Sequence, residues 1–345
     1  MIKNCKQIQM ICADYGMCGQ IRINWPAEVL KNGSNLQIHN SRNFIPSLPS
    51  DCVIVQRCLD KKFNAIVKPV KYKKVADFDD MLFSLYGEKL PSYNNVKIDL
   101  EAYTDGMKDL CTFIDEITVS TEFLKQAIID NYNFDRVRVI PNMLPRFIFH
   151  FDRKPHKDKD IVKPTILYAG GAQHYNNLTK QNGDFSPELI KCLHNIVDKA
   201  HLVFLGGLPY FMEDVKDKLT VLPYTNLLQY PLTLNSIGAD FILAPLKENV
   251  FNKCKSNLKY LESCAVGAVC IGSSFEFSPS RMIDDMAKIN WTMTAKQLEY
   301  NIFELCNKDN YNRVLDKQYN YINENWLENN IDKYLEIFTD KIVGI

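Results

Sequence analysis

Short apolar runs, each followed by an amphipathic stretch, recur along this chain in two series, and that repetition narrows the possible folds more than any other feature. In the first series "IQMICA" reads as a buried strand. A turn around Gly16 and Gly19 follows, then an amphipathic helix closed by Gly33. "LQIHN", "DCVIVQRC" and "KKVADFDDMLF" carry three more strands, the last with acidic residues at its end. "DEITVSTEFLKQAIIDNY" reads as strand, Ser120-Thr121 cap and helix, and "VRVIPNMLP" as a strand with a proline-rich exit in which Pro141-Asn142 marks a hinge. The segment "RKPHKDKDIVKP" is charged and bracketed by prolines, the pattern of a linker. The alternation then restarts with "PTILYAGGAQHY", "SPELIKCLHNIVDKA" and "HLVFLGG", continues through "LTVLPYT" and "ADFILAPL" to "AVCIGSS", and gives way to a helical C-terminal third.

Parallel strands require crossover connections, usually helices, so two β-α series predict two doubly wound α/β domains. The expected limits are 1–150 for the first domain, 151–164 for the linker, 165–320 for the second domain and 321–345 for a C-terminal helix. Ligands of such sheets bind beyond the carboxyl ends of the strands, which makes the cleft between the domains the expected site.

The 345 residues suffice for two cores, and 46% hydrophobic with 24% charged residues is the balance of a soluble globular chain. Lys plus Arg equals Asp plus Glu, so no global charge favours a nucleic acid. The 11 cysteines form no C-x-x-C pair, which argues against zinc and for buried thiols in a reducing compartment. No apolar run is long enough to span a bilayer and the first residues lack a signal-peptide pattern, so a cytoplasmic location is expected.

The stretch "FNKCKSNLKYLESCAVGAVCIGS" reads as one helix running into a strand, with Lys255 and Glu262 seven positions apart. Seven steps of an α-helix return to within roughly 20° of the same face, about 10 Å further along, near the reach from a diphosphate to a ribose. Ser256, Asn257 and the helix-start N–H groups then suit phosphate oxygens, Lys255 adds a point charge, and Glu262 accepts from a ribose diol. The competing reading is an exposed i,i+3 pair of Lys259 with Glu262. In the first domain, Gly19 allows close approach of the backbone to a phosphate and Arg22 steers it, unless this is an ordinary βα turn. Asp79 and Asp80 suit acceptor hydroxyls or proton transfer; the alternative is a solvated helix cap. His174 reads as a phosphate or sugar contact or as a core histidine. Lys68, Lys71, Lys73 and Lys74 precede the acidic cluster and are expected to border the acceptor side.

The segment "GADFILAPLKENVFNKCKSNLKYLESCAVGAVCIGSS" resembles the donor-nucleotide segment of GT-B glycosyltransferases of the retaining, glycogen-synthase-like type. "ITVSTEFLKQAI" with "VRVIPNMLP", "YGMCGQIRINWPAEVL" and "ILYAGGAQHYNNL" are similar, in order, to other parts of that family, and "DFDD" to an Asp-Asp of some short bacterial and phage members. The resemblance implies two Rossmann-like domains facing a central cleft with C-terminal helices packing back, and transfer of a hexose or pentose from a UDP- or GDP-sugar to a hydroxyl with retention. It implies no essential metal and no cofactor beyond the nucleotide sugar. Glu262 matches the family's ribose-binding glutamate. The family's other helix glutamate falls at Cys254, and its Arg and Lys in the first C-domain loop are replaced by Gly170, Gly171, Gln173 and His174, with Lys255 left to supply positive charge against the leaving diphosphate. Lys/Asn-rich members of this length occur in phages, which makes a hydroxymethylated DNA base one expected acceptor. A glycan or small-molecule acceptor is the other, and a non-catalytic nucleotide-sugar-binding protein or an unrelated two-domain α/β binding protein are the rival readings.

Overall fold

The structure, a computed structural model, describes residues 7–14, 16–93, 99–171, 173–279 and 282–339. Both expected sheets are present and each is wholly parallel. The first contains β1 (Gln7–Ile11), β2 (Gln37–Ser41), β3 (Cys52–Gln56), β4 (Lys73–Phe78), β5 (Glu116–Val119) and β6 (Val137–Val139), in the order β2-β1-β3-β4-β5-β6. The second contains β7 (Thr165–Ala169), β8 (His201–Leu205), β9 (Thr220–Leu222), β10 (Phe241–Ala244), β11 (Val269–Ser273) and β12 (Lys288–Ile289), in the order β12-β11-β10-β7-β8-β9. The central strands are buried on both faces, which is why they read as unbroken apolar runs rather than alternating ones. β12 is only two residues long and carries no such signal. Together the sheets and helices form two Rossmann-like α/β halves, as expected.

The chain ends by crossing back to the first domain. After the helix Lys308–Glu324, a bridge pairs Trp326 with Leu144, and the helix Asp332–Thr339 lies against the first sheet. Lys73 Nζ donates to the Ile337 carbonyl at 2.6 Å and Arg138 pairs with Glu336 at 3.0 Å. One apolar core therefore runs from one face of the first sheet through these helices into the second domain. The other face of the first sheet has its own core, and two residues of the second half, Phe251 and Cys254, are buried in it.

The turn after β1 differs from expectation. The helix begins at Met17, so Gly19 lies in its first turn rather than in a loop. A Cβ at Gly19 would sit 1.9 Å from the Asp14 carbonyl oxygen; glycine is needed there for the helix to pack on the strand end, not for a phosphate to approach. The run widens into a π-turn over Gln20–Asn24 before continuing as Trp25–Gly33. Pro26 explains the widening. It has no N–H to give to the preceding turn, and the Trp25 N–H reaches back five residues to Gln20 instead.

Arg22 sits on this π-turn, and its side chain enters the domain interior, where the residue is 1% exposed. It does not face the cleft as a phosphate-steering group. Its guanidinium pairs with Asp77 at 2.6 Å, and Nη1 donates to the Ile140 carbonyl and to Asn142 Oδ1 at 3.0 Å. Thr118 Oγ1 donates to the same carboxylate at 2.7 Å. Breaking a buried pair by removing one partner typically costs about 3–5 kcal/mol, because the other charge is stranded. Asp77→Ala should therefore lower unfolding stability by about that amount in urea titrations, while Asp77→Leu combined with Arg22→Met should recover most of it. A loss under about 1 kcal/mol for Asp77→Ala would show that the pair is not needed.

Candidate active site

Both sheets turn the carboxyl ends of their strands toward one cleft of about 320 Å³. In the second sheet the strand order reverses between β7 and β10, and the loops leaving these two strands diverge to opposite faces and open a crevice. Gly170, Gly171 and His174 follow β7, and Lys255, Ser256 and Asn257 follow β10; all six line the cleft. Gly170 passes directly over the Tyr168 hydroxyl, where a Cβ would meet the oxygen at 2.4 Å. That hydroxyl is buried with no hydrogen-bond partner among the described residues.

The single helix expected from Phe251 to Val266 is two helices, Val250–Cys254 and Leu258–Val266. Asn249 caps the first by accepting from the Asn252 N–H at 2.8 Å. Lys255 then turns extended, with ψ 150°, and Asn257 stands at the N-cap of the second. At the break the side chains bond outward: Ser256 Oγ accepts from Asn142 at 2.7 Å and Asn257 Nδ2 donates to the Tyr321 hydroxyl at 2.9 Å. Lys255 and Glu262 consequently do not share a helix face; the break itself delivers Lys255 to the cleft. Its ammonium lies 4.4 Å from the Phe251 ring centroid and 3.5 Å from Asp80 across the domain boundary.

Glu262 is buried, 1% exposed, and lines the cleft. Its pair with Lys259 is real, at 2.7 Å, but it is not a surface pair. Tyr230 donates to the same oxygen, Oε2, at 2.9 Å, and Lys259 also contacts the Tyr230 hydroxyl at 2.8 Å. Oε1 has no partner among the described residues. Burial pushes the Tyr230 phenol well up, with the neighbouring Glu262 carboxylate adding to it, so Tyr230 remains a donor. His174 Nδ1 lies 2.8 Å from Asp184 Oδ2, which leaves Nε2 without a protein partner among the described residues.

The first domain contributes Met17, Cys18, Ile21, Asp79, Asp80 and Asn142 to the opposite wall. Asp79 and Asp80 leave the end of β4 in different environments. Burial favours the neutral form of Asp79, but Arg57, at 3.0 Å, together with Cys18 and Arg22, outweighs it and holds this carboxyl below the ordinary range. Asp80 is raised by burial, which Lys255 at 3.5 Å offsets only in part, and its neighbour Asp79 adds to the rise. Arg57 also pairs with Asp14 at 3.3 Å and adopts a positive φ of 52°. Asn142 Nδ2 donates to Ser256 Oγ at 2.7 Å, joining the two walls.

The expected placements of Arg22, Gly19, Cys254, Lys73 and Lys74 change. Arg22 and Gly19 stand behind the cleft, as described above. Cys254 does not replace a sugar-binding glutamate in the cleft, because it is fully buried in the first-domain core, with its carbonyl accepting from Thr121 Oγ1 at 3.1 Å. Lys73 and Lys74 open β4 while Asp79 and Asp80 follow its far end, so five strand steps, about 17 Å, separate them. Lys73 is paired with Glu116 and Lys74 with Asp115 at that amino end, away from the cleft. Conversely, Arg57, Tyr230 and Asp184 escape the sequence reading. Arg57 and Tyr230 do follow β3 and β9 in this fold, and position after a strand end is the signal that finds them. Among the described residues no group of three or more His, Cys, Asp or Glu could hold a metal ion, and no helix is long and apolar enough to cross a membrane.

No protein-family model matches the sequence, and no curated protein matches it in sequence. The fold does match solved structures. WaaG, a glycosyltransferase involved in lipopolysaccharide biosynthesis, is similar with a TM-score of 0.59 and 12% identity, over 97% of this chain and 100% of that one. Anabaena Alr3699/HepE in complex with UDP-glucose is similar with a TM-score of 0.59 and 9% identity, over 96% and 98% of the two chains. The pneumococcal O-GlcNAc transferase GtfA, in complex with UDP and GlcNAc, gives 0.56 at 13% identity, over 83% of this chain and 56% of that one. At these identities the likeness establishes the GT-B fold of glycosyltransferases.

The raised Asp80 carboxyl has a consequence for stability. Its folded pKa lies above the unfolded value of about 3.9, so the ionised carboxylate works against folding, and this penalty disappears at a pH low enough to keep the group protonated in both states. Asp80→Asn should therefore raise the melting temperature at pH 7 and leave it unchanged below about pH 3.5. Equal effects at both pH values would mean that the ionised carboxylate is not strained in this setting.

Proposed function

We propose that this chain is a glycosyltransferase that takes a nucleotide diphosphate sugar, with UDP as the preferred nucleotide, and transfers the sugar to a hydroxyl acceptor in the interdomain cleft. The observation that carries this reading is the meeting of three features at the switch point of the second sheet. They are the Lys255–Asn257 helix break, the Gly170–Gly171 turn and the buried Glu262. In this reading the diphosphate lies against the break and the turn, where Lys255 and backbone N–H groups meet charge as it develops on the leaving oxygen. Glu262 offers Oε1 to the ribose, with Lys259 and Tyr230 fixing the carboxylate through Oε2. His174 presents Nε2 to a phosphate or sugar oxygen. The bound UDP-glucose of the similar HepE structure supports the choice of nucleotide.

On the acceptor side, Asp80 faces Lys255 across the cleft and is placed to hold the acceptor hydroxyl. Retention, which the resemblance implies, brings the acceptor in on the face from which the diphosphate leaves. The departing phosphate oxygen is then the nearest base and Asp80 orients the nucleophile; inversion would make Asp80 the base. The anomeric configuration of the first-formed product, read by proton NMR, decides between them, and we expect retention. Lys73 and Lys74 lie at the far end of the sheet, so they do not supply the basic funnel beside the cleft that a hydroxymethylated DNA base would need. We therefore favour a glycan or small-molecule acceptor and expect no DNA binding that weakens steeply with salt.

Calorimetric titration tests the donor site. A hydrogen bond to a charged group is worth about 1.5–3 kcal/mol, so Glu262→Gln should weaken UDP binding by about tenfold or more, and Lys255→Ala should do likewise. Unchanged UDP affinity in the double variant would remove the assignment. UDP-sugar binding without turnover by the unaltered protein, in the presence of hydroxyl acceptors, would mark a binding protein instead.

A further inference from the structure

The proposed reaction gives Asp184 no part, yet both oxygens of its buried carboxylate are engaged behind the cleft. It is 1% exposed. Oδ2 faces His174 Nδ1 at 2.8 Å. Oδ1 accepts from three donors: the Tyr93 hydroxyl at 2.7 Å, Asn252 Nδ2 at 2.7 Å and the Lys247 backbone N–H at 2.9 Å. Tyr93 belongs to the first domain and is itself buried; its hydroxyl also lies 3.3 Å from Asn249 and Asn252. Burial, and then the adjacent carboxylate, push its phenol well up, so it stays a donor. Asn252 is on the short helix Val250–Cys254, whose Phe251 and Cys254 are buried in the first-domain core. One of the three donors to Oδ1, Tyr93, thus comes from the other domain, and the helix that carries a second, Asn252, packs against it.

We propose that Asp184 is a positioning residue that couples the closed arrangement of the two domains to the presentation of His174 in the cleft, with Tyr93 as the link across the interface. An ionised carboxylate only accepts, so its contact with Nδ1 puts the imidazole proton there and turns Nε2 toward the cleft. With Tyr93 and Asn252 in place, Oδ1 is satisfied and the carboxylate cannot rotate without abandoning buried donors. When the domains part, Tyr93 leaves, Oδ1 loses a buried donor, and the hold on the orientation of His174 is loosened. The inference rests on the glycosyltransferase reading only for what Nε2 then meets, an anionic oxygen of the donor.

Tyr93→Phe is the direct test, because it removes one hydroxyl and keeps the ring. Nitrogen-15 NMR of the imidazole in the full chain should show His174 protonated at Nδ1 when neutral, and a shift toward the Nε2-protonated tautomer in Tyr93→Phe and in Asp184→Asn. With UDP-glucose as the probe donor, Tyr93→Phe should lower kcat by about fivefold or more with less than about a twofold change in donor KM. In a His174→Gln background the same substitution should have no further effect. Unaltered His174 nitrogen shifts in both variants, or an equal loss of kcat in the His174→Gln background, would overturn the coupling. Tautomer shifts in a protein that turns over no nucleotide sugar would uphold the coupling and defeat the glycosyltransferase reading.

Discussion

Arg22 carries a full charge in the interior of the first domain, and the position of the cleft walls depends on how that charge is satisfied. Asp77, at the end of β4, takes the guanidinium, and Asn142, just beyond the last strand of the sheet, takes its remaining edge. Asn142 in turn uses its amide to hold Ser256 in the helix break of the second domain. A chain of four polar side chains therefore runs from the core of one domain to the loop proposed to receive phosphate in the other. Such a network is costly if any member is missing and specific if all are present. The residue that begins it sits on a π-turn, and the proline that widens that turn lies four positions later.

Apolar packing reinforces this polar relay. Phe251 and Cys254 are core residues of the domain to which they do not belong in sequence. The segment between β10 and Lys255 thus serves as a peg in the other half of the molecule, and the lysine at its end is carried to Asp80. The C-terminal helices add a second connection on the opposite side. Domain contacts of this kind hold a site closed around its ligand and exclude water, which limits loss of an activated donor to hydrolysis.

Much of this architecture is legible in the sequence because doubly buried parallel strands announce themselves as short apolar runs, and their loops must lie at the strand ends. The strand-end residues Asp79, Asp80, Gly170 and Gly171 could be placed for the same reason. Arg22 could not. Its charge suggests a phosphate ligand, and only the tertiary position of Asp77, fifty-five residues away, turns it into a buried partner. The helix around Lys255 misleads through its periodicity, which continues across a break whose Ser256 and Asn257 are held from outside the helix, by Asn142 and Tyr321. Cys254 is the opposite case. Its thiol looks like a lost functional group, but its apolar character fits the neighbouring core it enters. The Tyr93–Asp184 contact has no local signature at all, since both residues are ordinary in their own segments.

The central claim is that the second sheet's switch point holds the donor nucleotide within a closed interdomain cleft. A crystal structure of the chain grown with UDP tests it most directly. The diphosphate should lie against Lys255, Ser256 and the Gly170–Gly171 turn, with the ribose within hydrogen-bond distance of Glu262 Oε1. Nucleotide density elsewhere on the protein, or an empty cleft at saturating UDP, would contradict it.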